Sequence, residues 1–421
     1  MKRFVVPVLL AGCAASPAMR AAETGDRAAL ATAAHDVTNH EAASLAQVVA
    51  DHELRAAPAA EAPERVREAW SCAHELDGAL AARMKVHDEA GAAAALARLD
   101  GRGLDLDDVR DYLVDADPRW RAVGVRSLVR PGDHDERVRA LLDPDPHVRR
   151  QAARAARDAA DPNDLEPLAD AARVDPEPIV RTEAVRAIAA LAPLPSEEAA
   201  DVLRDLWPSA DDGLREDIAL AWARPAVWAS GGREALGGVV ASSHGPGAIE
   251  AAAAVLRHAD ADGDVALAAR AQILRALEQG TRAERLQAIA EAPAERPQLR
   301  QALRDAAADD DLQVRVAVLA RLAEVHEPRA VDRLEAIAAA AQPGSTVSVR
   351  ARLALASAGD RAVQSWLEQD MKSERAADRL AAASGLASLN LAGRAVPLLA
   401  DVDPGVRLRV ACTILVAARV H

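Results

Sequence analysis

One pattern recurs through most of this 421-residue chain and constrains its fold more than any other feature. An acidic residue, often followed by Pro, precedes an apolar residue, an Arg and an apolar stripe. The clearest copy is Asp145-Pro146-His147-Val148-Arg149, continuing to Ala152, Ala153 and Ala156. The same phase returns at Trp120-Arg121, Val180-Arg181, Leu214-Arg215, Val314-Arg315, Val349-Arg350 and Val406-Arg407, with a weaker copy at Asp378-Arg379. Degenerate copies fall near Ala248 and Arg282. From Trp120 through Val148, Val180, Leu214 and Ala248 the steps are 28, 32, 34 and 34 residues. That length suits one two-helix unit per repeat.

The residues give each unit a physical start. Apolar residues follow the anchor at four and eight positions, as in Ile218 and Trp222 or Val410 and Ile414, which marks one face of an α-helix. Asp117, Asp145 and Asp403 precede Pro118, Pro146 and Pro404. An Asp at the N-cap accepts from the first free backbone N–H groups, and Pro fits the first helical position. Asp211 and Asp311 are expected to cap without Pro, and Thr346 to substitute for Asp. The second helix of each unit falls between anchors, at Leu165–Arg173, Glu197–Trp207, Arg329–Ala341 and Arg361–Met371.

These units resemble HEAT repeats, in particular the short class called PBS-lyase HEAT-like repeats. The resemblance covers about residues 117–421 and implies an all-α, right-handed α-solenoid of about ten helical hairpins. It also implies that the Arg forms a ladder bonding to carbonyls or acids of neighbouring repeats. By match that role falls on Arg121, Arg149, Arg181, Arg215, Arg315, Arg350 and Arg407. The class takes its name from proteins that attach bilins. Export together with few thiols argues against that chemistry here.

The N-terminus reads as an address. Met1-Lys2-Arg3 is followed by an apolar run from Phe4 to Ala11 and then Gly12-Cys13, the order of a secretory signal peptide. The run is shorter than the roughly 20 residues of a membrane-spanning helix. Leu10-Ala11-Gly12-Cys13 resembles the bacterial lipobox, which implies cleavage before Cys13 and lipidation of its thiol. Residue 14 is Ala, and by resemblance to lipoprotein sorting this points to the outer membrane. The expected organisation is a signal peptide over 1–12, a lipidated tether over 13–25, a helical hairpin over 26–100 and the repeat solenoid over 101–421.

The hairpin, two stretches flanking Pro58–Pro63, would cap the first repeat, since an exposed repeat end needs a cap. It is rich in histidine: His35, His40, His52, His74 and His87, with Cys72 nearby. Imidazole and thiolate ligate zinc, copper or nickel. A metal site from His40, His52, His74 and His87 is the alternative function, although no CxxC or HExxH occurs. Cys72 and Cys412 lie near opposite ends of the array. Layers stacking roughly 8–10 Å apart would hold them beyond disulfide reach, so two free thiols are expected.

Other chemistry is absent from the sequence. It has no P-loop, dinucleotide fingerprint or G-x-S-x-G. Gly231-Gly232 and Gly237-Gly238 are expected to break helices. Asp309-Asp310-Asp311 suits a helix start better than a calcium loop, and Asp260-Ala261-Asp262-Gly263-Asp264 suits an inter-helix loop. Trp207 and Trp222 are expected in the core, with Trp228 the most exposed of the three. The net charge of -14 argues against non-specific nucleic-acid binding, which needs a cationic surface. The expectation is a non-enzymatic adaptor without a cofactor, anchored to a membrane by lipid and binding a protein partner.

Overall fold

The computed structural model describes residues 16–34, 37–191, 197–258 and 263–419. The signal peptide, Cys13, His35 and Asp260–Asp262 lie outside the described residues. No helix among the described residues is long and apolar enough to cross a membrane.

The described residues form helices and connecting turns only. Twelve helices organise them: α1 (Asn39–Ala56), α2 (Glu89–Asp100), α3 (Pro118–Arg126), α4 (Pro146–Ala159), α5 (Pro178–Ile188), α6 (Asp212–Trp222), α7 (Pro246–Arg257), α8 (Arg282–Glu291), α9 (Leu312–Glu324), α10 (Thr346–Ser357), α11 (Ala376–Ser388) and α12 (Pro404–Arg419). Helices α3 to α12 carry the ten repeat anchors, and each packs against the next. A second helix precedes each, from Asp107–Val114 to Ala392–Ala400. The core between the two layers is built from Ala, Val and Leu with few aromatics, so closely approaching helices replace bulky side chains.

The starts of these helices follow the sequence. Asp117, Asp145, Asp211 and Asp311 accept from the backbone N–H of Arg119, His147, Leu214 and Gln313. Asp403 accepts from Gly405. Thr346 does not cap; Ser345 does, accepting from Ser348 N, and Thr346 is the first helical residue. Gly231, at φ 108°, breaks the chain before the helix Arg233–Ser242. A Cβ on Gly232 would lie 2.4 Å from the Trp222 carbonyl oxygen. Gly237 and Gly238 sit inside that helix and do not end it.

The Arg ladder obeys a register. The participating Arg stands four residues after the N-cap. Arg121 donates to the Asp115 and Ala116 carbonyls, and Arg149 to those of Asp143 and Pro144. Arg181, Arg215, Arg315 and Arg407 bond their own entry turns likewise. At four rungs the guanidinium also reaches forward to an acid of the next unit. Arg121 pairs with Asp143 at 3.0 Å, Arg149 with Asp175 at 2.7 Å, Arg181 with Asp211 at 3.1 Å and Arg379 with Asp401 at 2.6 Å.

Arg350 is not a rung. Its helix is capped by Ser345, so Arg350 lies five residues beyond the cap, about 100° round the helix from the ladder position. It is exposed and makes no hydrogen bond or ion pair among the described residues. In the degenerate eighth helix the rung is Arg285 rather than Arg282. It donates to the Gly280 carbonyl and lies 3.5 Å from Asp309.

The array is not open. Cys72 and Cys412 form a disulfide with Cα atoms 5.2 Å apart, across a sequence separation of 340. The expectation of two distant free thiols therefore fails. Its premise, a straight stack, neglected the curvature that accumulates over ten units. The N-terminal segment does pack beside the first repeat, through α2 against α3, but α1 packs against the last helix, α12. Two short helices, Ala62–Glu68 and Asp77–Met84, join α1 to α2. The segment is thus the final sector of a closed ring.

The closing contacts reuse the ladder. Arg407 donates to both carboxylate oxygens of Glu53 on α1, at 2.6 and 2.8 Å, and to its own turn at Asp401. Glu53 does for the last rung what Asp143 does for the first. Arg409 pairs with Glu68 at 3.4 Å, and Arg419 pairs with Glu75.

Candidate functional site

A ring of two helical layers has one layer facing inward, and long-range side-chain bonds identify it. Gln287 on α8 donates to Glu216 on α6 and to the Pro246 carbonyl at the start of α7, each at 3.2 Å. Arg154 on α4 reaches Asp100 on α2 at 2.9 Å. Side chains two helices apart meet only where the array curves towards them. The ladder layer therefore lines the concave face.

Charge divides that face. At one sector, where α2 to α5 meet the N-terminal segment, a cleft of about 870 Å³ holds six arginines against five carboxylates. Most of its acids bond the protein. Asp100 takes Arg126 and Arg154, Glu183 takes Arg157, and Asp117 and Asp145 cap helices. The next sector is acidic. Glu216, Asp217, Glu250 and Glu291 gather along α6 to α8, with Arg257 bonded to Glu250 and Glu291 at 2.6 Å each. Glu250 lies above the ordinary carboxylate range because it is buried, and Arg257 only partly offsets this. Glu216 is also raised, by burial first, then by the charges of Asp217, Asp212 and Glu291 against the lowering bond from Gln287.

The sequence-selected histidines have separate surroundings. His87 lies 3.2 Å from Asp115 and stacks on Trp120 with ring centroids 4.4 Å apart. His52 packs against Gly25 beside Glu53 and Arg407. His74 is exposed, and His40 lies in α1 with its side chain outside the described residues. None of His52, His74 and His87 joins a group of three candidate ligands. The one such group among the described residues is His134, Asp161 and Asp164. There the fully buried Arg137 already supplies the positive charge, donating to Asp164 at 2.7 Å and Asp161 at 3.0 Å. Its remaining N–H groups hold the Leu128 and Arg130 carbonyls. The cluster reads as a buried joint between two outer helices.

Of the three tryptophans, Trp222 meets expectation and the other two depart from it. Trp222 is buried and donates to the Ala200 carbonyl. Trp228 is also buried, stacked on His258 with ring centroids 3.7 Å apart. Trp207 is the partly exposed one, beneath the Arg215 guanidinium at 5.7 Å. Sequence reasoning missed Glu53, Arg285 and the charged cleft. The N-cap register finds Arg285; no local signal marks Glu53, whose partner is 354 residues away.

Comparison with known proteins agrees with the repeat assignment. Residues 106–189 and 136–223 match the family model for HEAT repeats. No curated protein sequence matches the chain. Among solved structures, the Escherichia coli protein YibA is similar over 69% of this chain and 93% of its own, at 14% identity and a TM-score of 0.31. The karyopherin Kap121p, solved bound to the extreme C-terminus of the protein phosphatase Cdc14p, is similar over 82% of this chain and 46% of its own. Its identity is 13% and its TM-score 0.29.

Proposed function

We propose that this ring of HEAT repeats is a non-enzymatic protein-interaction scaffold of the bacterial cell envelope. It is held at a membrane, the outer one facing the periplasm, by lipid on Cys13. The observation that carries the reading is the closure of the array, through the Arg407–Glu53 rung and the Cys72–Cys412 disulfide. Closure leaves a continuous concave wall of charged side chains, a surface suited to surrounding or gripping a protein segment. Disulfides persist in oxidising compartments such as the periplasm. The disulfide therefore supports the export implied by the basic and apolar N-terminus.

Affinity capture of the tagged protein from its own envelope, after mild crosslinking and with mass spectrometry, tests this. A stoichiometric partner whose crosslinks map to the ladder layer is the expected result. Recovery of the protein alone at native expression, or crosslinks confined to the outer helices, sinks it.

A further inference from the structure

We infer that the closing sector of the ring lies directly against the lipid headgroups, held there by a link only three residues long. This rests on the lipid anchor proposed for Cys13 and adds where the ring meets the membrane.

The first described helix carries the argument. Within the stretch expected to serve as a tether, Pro17–Thr24 is helical. Local signals start and stop it. Ser16 is the N-cap and accepts from the Met19 N–H at 3.3 Å, and Pro17 takes the first helical position. Gly25, at φ 68°, ends the helix, and the Asp26 N–H bonds back to the Ala21 carbonyl at 2.8 Å. Glycine suits such a left-handed stop. Asp26 then caps the next helix, Arg27–Ala33, by accepting from the Ala29 N–H at 3.0 Å. The chain passes straight from one element to the next, with no slack from Ser16 to Ala33.

Both helices belong to the seam of the ring. Ala18, Ala21 and Ala22 are buried, and their helix packs on α1, which carries Glu53. Leu30 is buried too, and its helix packs on Ala392–Ala400 of the last repeat. Pro17, Arg20 and Thr24 share the face that stays exposed.

Chain length then sets the distance to the bilayer. Cys13 is three residues before Ser16, and three extended residues span about 11 Å at most. A free lead over all of 13–25 would reach about 40 Å. Arg20 is four residues into the helix from Ser16, a rise of about 6 Å. Its Cα therefore lies within about 17 Å of the Cys13 Cα. Acyl chains on Cys13 fix that residue at the bilayer surface. The exposed face of Pro17–Thr24 then sits at the headgroups, and a partner gripped by the concave wall is held beside the membrane.

The test uses the full-length lipidated protein, reconstituted into vesicles of phosphatidylethanolamine and phosphatidylglycerol. A fraction of the lipid carries a nitroxide on its headgroup, which quenches fluorescence only at short range. A fluorophore is attached at Arg20→Cys. Lipid occupies Cys13 and the disulfide occupies Cys72 and Cys412, so the new thiol takes the label. A second variant adds a Gly-Ser linker of about twenty residues between Ala15 and Ser16, with a root-mean-square length of about 25 Å. Circular dichroism checks that both fold. Strong quenching is expected at Arg20→Cys, falling several-fold in the linker variant while both proteins still float with the vesicles. Suppose Arg20→Cys floats but is quenched no more than Cys13→Ser/Arg20→Cys mixed with the same vesicles. That result overturns the inference and leaves the anchor standing. Undiminished quenching in the linker variant also overturns it, because the short link would not be what sets the distance. Protein that does not float removes the anchor and this inference together, and leaves the scaffold reading to its own test.

Discussion

Replacing both bridging cysteines, as Cys72→Ala/Cys412→Ala, tests the ring itself. The bridge joins positions 340 residues apart. In the chain-entropy treatment the constraint on the unfolded state grows with the logarithm of the loop, reaching about 6 kcal/mol for a loop of this length. Engineered bridges commonly deliver less, so about 3–6 kcal/mol is the expected loss. The native ring should survive, because Arg407–Glu53, Arg409–Glu68 and the packing of α1 on α12 remain. Urea unfolding followed by circular dichroism, with the disulfide intact and with both thiols replaced, measures the difference. Small-angle scattering in buffer should give the same radius of gyration for both forms. Hydrogen exchange adds a local readout. Repeat arrays fray from their ends, and a closed ring has none, so α12 should be as protected as α6 until the bridge is removed. The reasoning fails if protein purified from an oxidising compartment titrates two free thiols. It also fails if the alanine variant unfolds within about 0.5 kcal/mol of the parent, the scale of an ordinary surface change.

The ladder supplies a paired test. Arg149→Leu leaves the Asp175 carboxylate, 5% exposed, without its cation and should cost about 3–5 kcal/mol in urea unfolding. Arg350→Ala carries the same sequence motif but no rung, and should change stability by no more than about 0.5 kcal/mol; equal losses would contradict the register rule. Glu216 has a raised folded-state pKa against an ordinary value of 4.5. The folded protein therefore holds the proton more tightly, and ionising Glu216 as pH rises removes stability. Glu216→Gln should match the parent in thermal melts below pH 4.5 and exceed it increasingly above; a variant less stable at neutral pH refutes the assignment. Asp143 moves oppositely. Burial raises it, but bonds from Arg121 and the Asp145 N–H outweigh this and set it below 3.8. Its contribution is present above 3.8 and lost as pH falls through the lowered value, so Asp143→Asn should flatten the acid limb of the stability profile. Cys13→Ser should shift the protein from the membrane to the soluble envelope fraction, and unchanged membrane association would remove the lipid anchor.

Much of the fold was readable because the determinants are local. An Asp-Pro start, an Arg four residues after the cap and an apolar stripe fall within about a dozen residues of one another. Each one carries its own stereochemical reason. The errors came where one residue of register mattered. The sequence points to Thr346 as a cap, but Ser345 takes that place, and the displacement by one residue puts Arg350 off the ladder. Trp228 is covered by His258, 30 residues further along the chain, a contact that no local pattern announces. Ring closure had no local signature at all. Small rotations between successive repeats sum to a closed circuit, and no single repeat reveals the total. In retrospect one cysteine near each end and a complete Asp403-Pro404…Arg407 signature in the last repeat were consistent with a covered terminal face. They did not identify Glu53 as what covers it.

Closure also changes how such a surface binds. An open solenoid can stretch and rewind around a partner, and the ordering cost of that adjustment weakens binding. In the ring, the rung between Arg407 and Glu53 and the bridge between Cys72 and Cys412 fix the two ends together. The arginine-rich and carboxylate-rich sectors are then held at a set separation before a partner arrives. Preorganisation of this kind raises affinity by reducing what must be ordered on binding. It also raises selectivity, because a segment whose charges do not follow the two sectors meets like charges it cannot avoid.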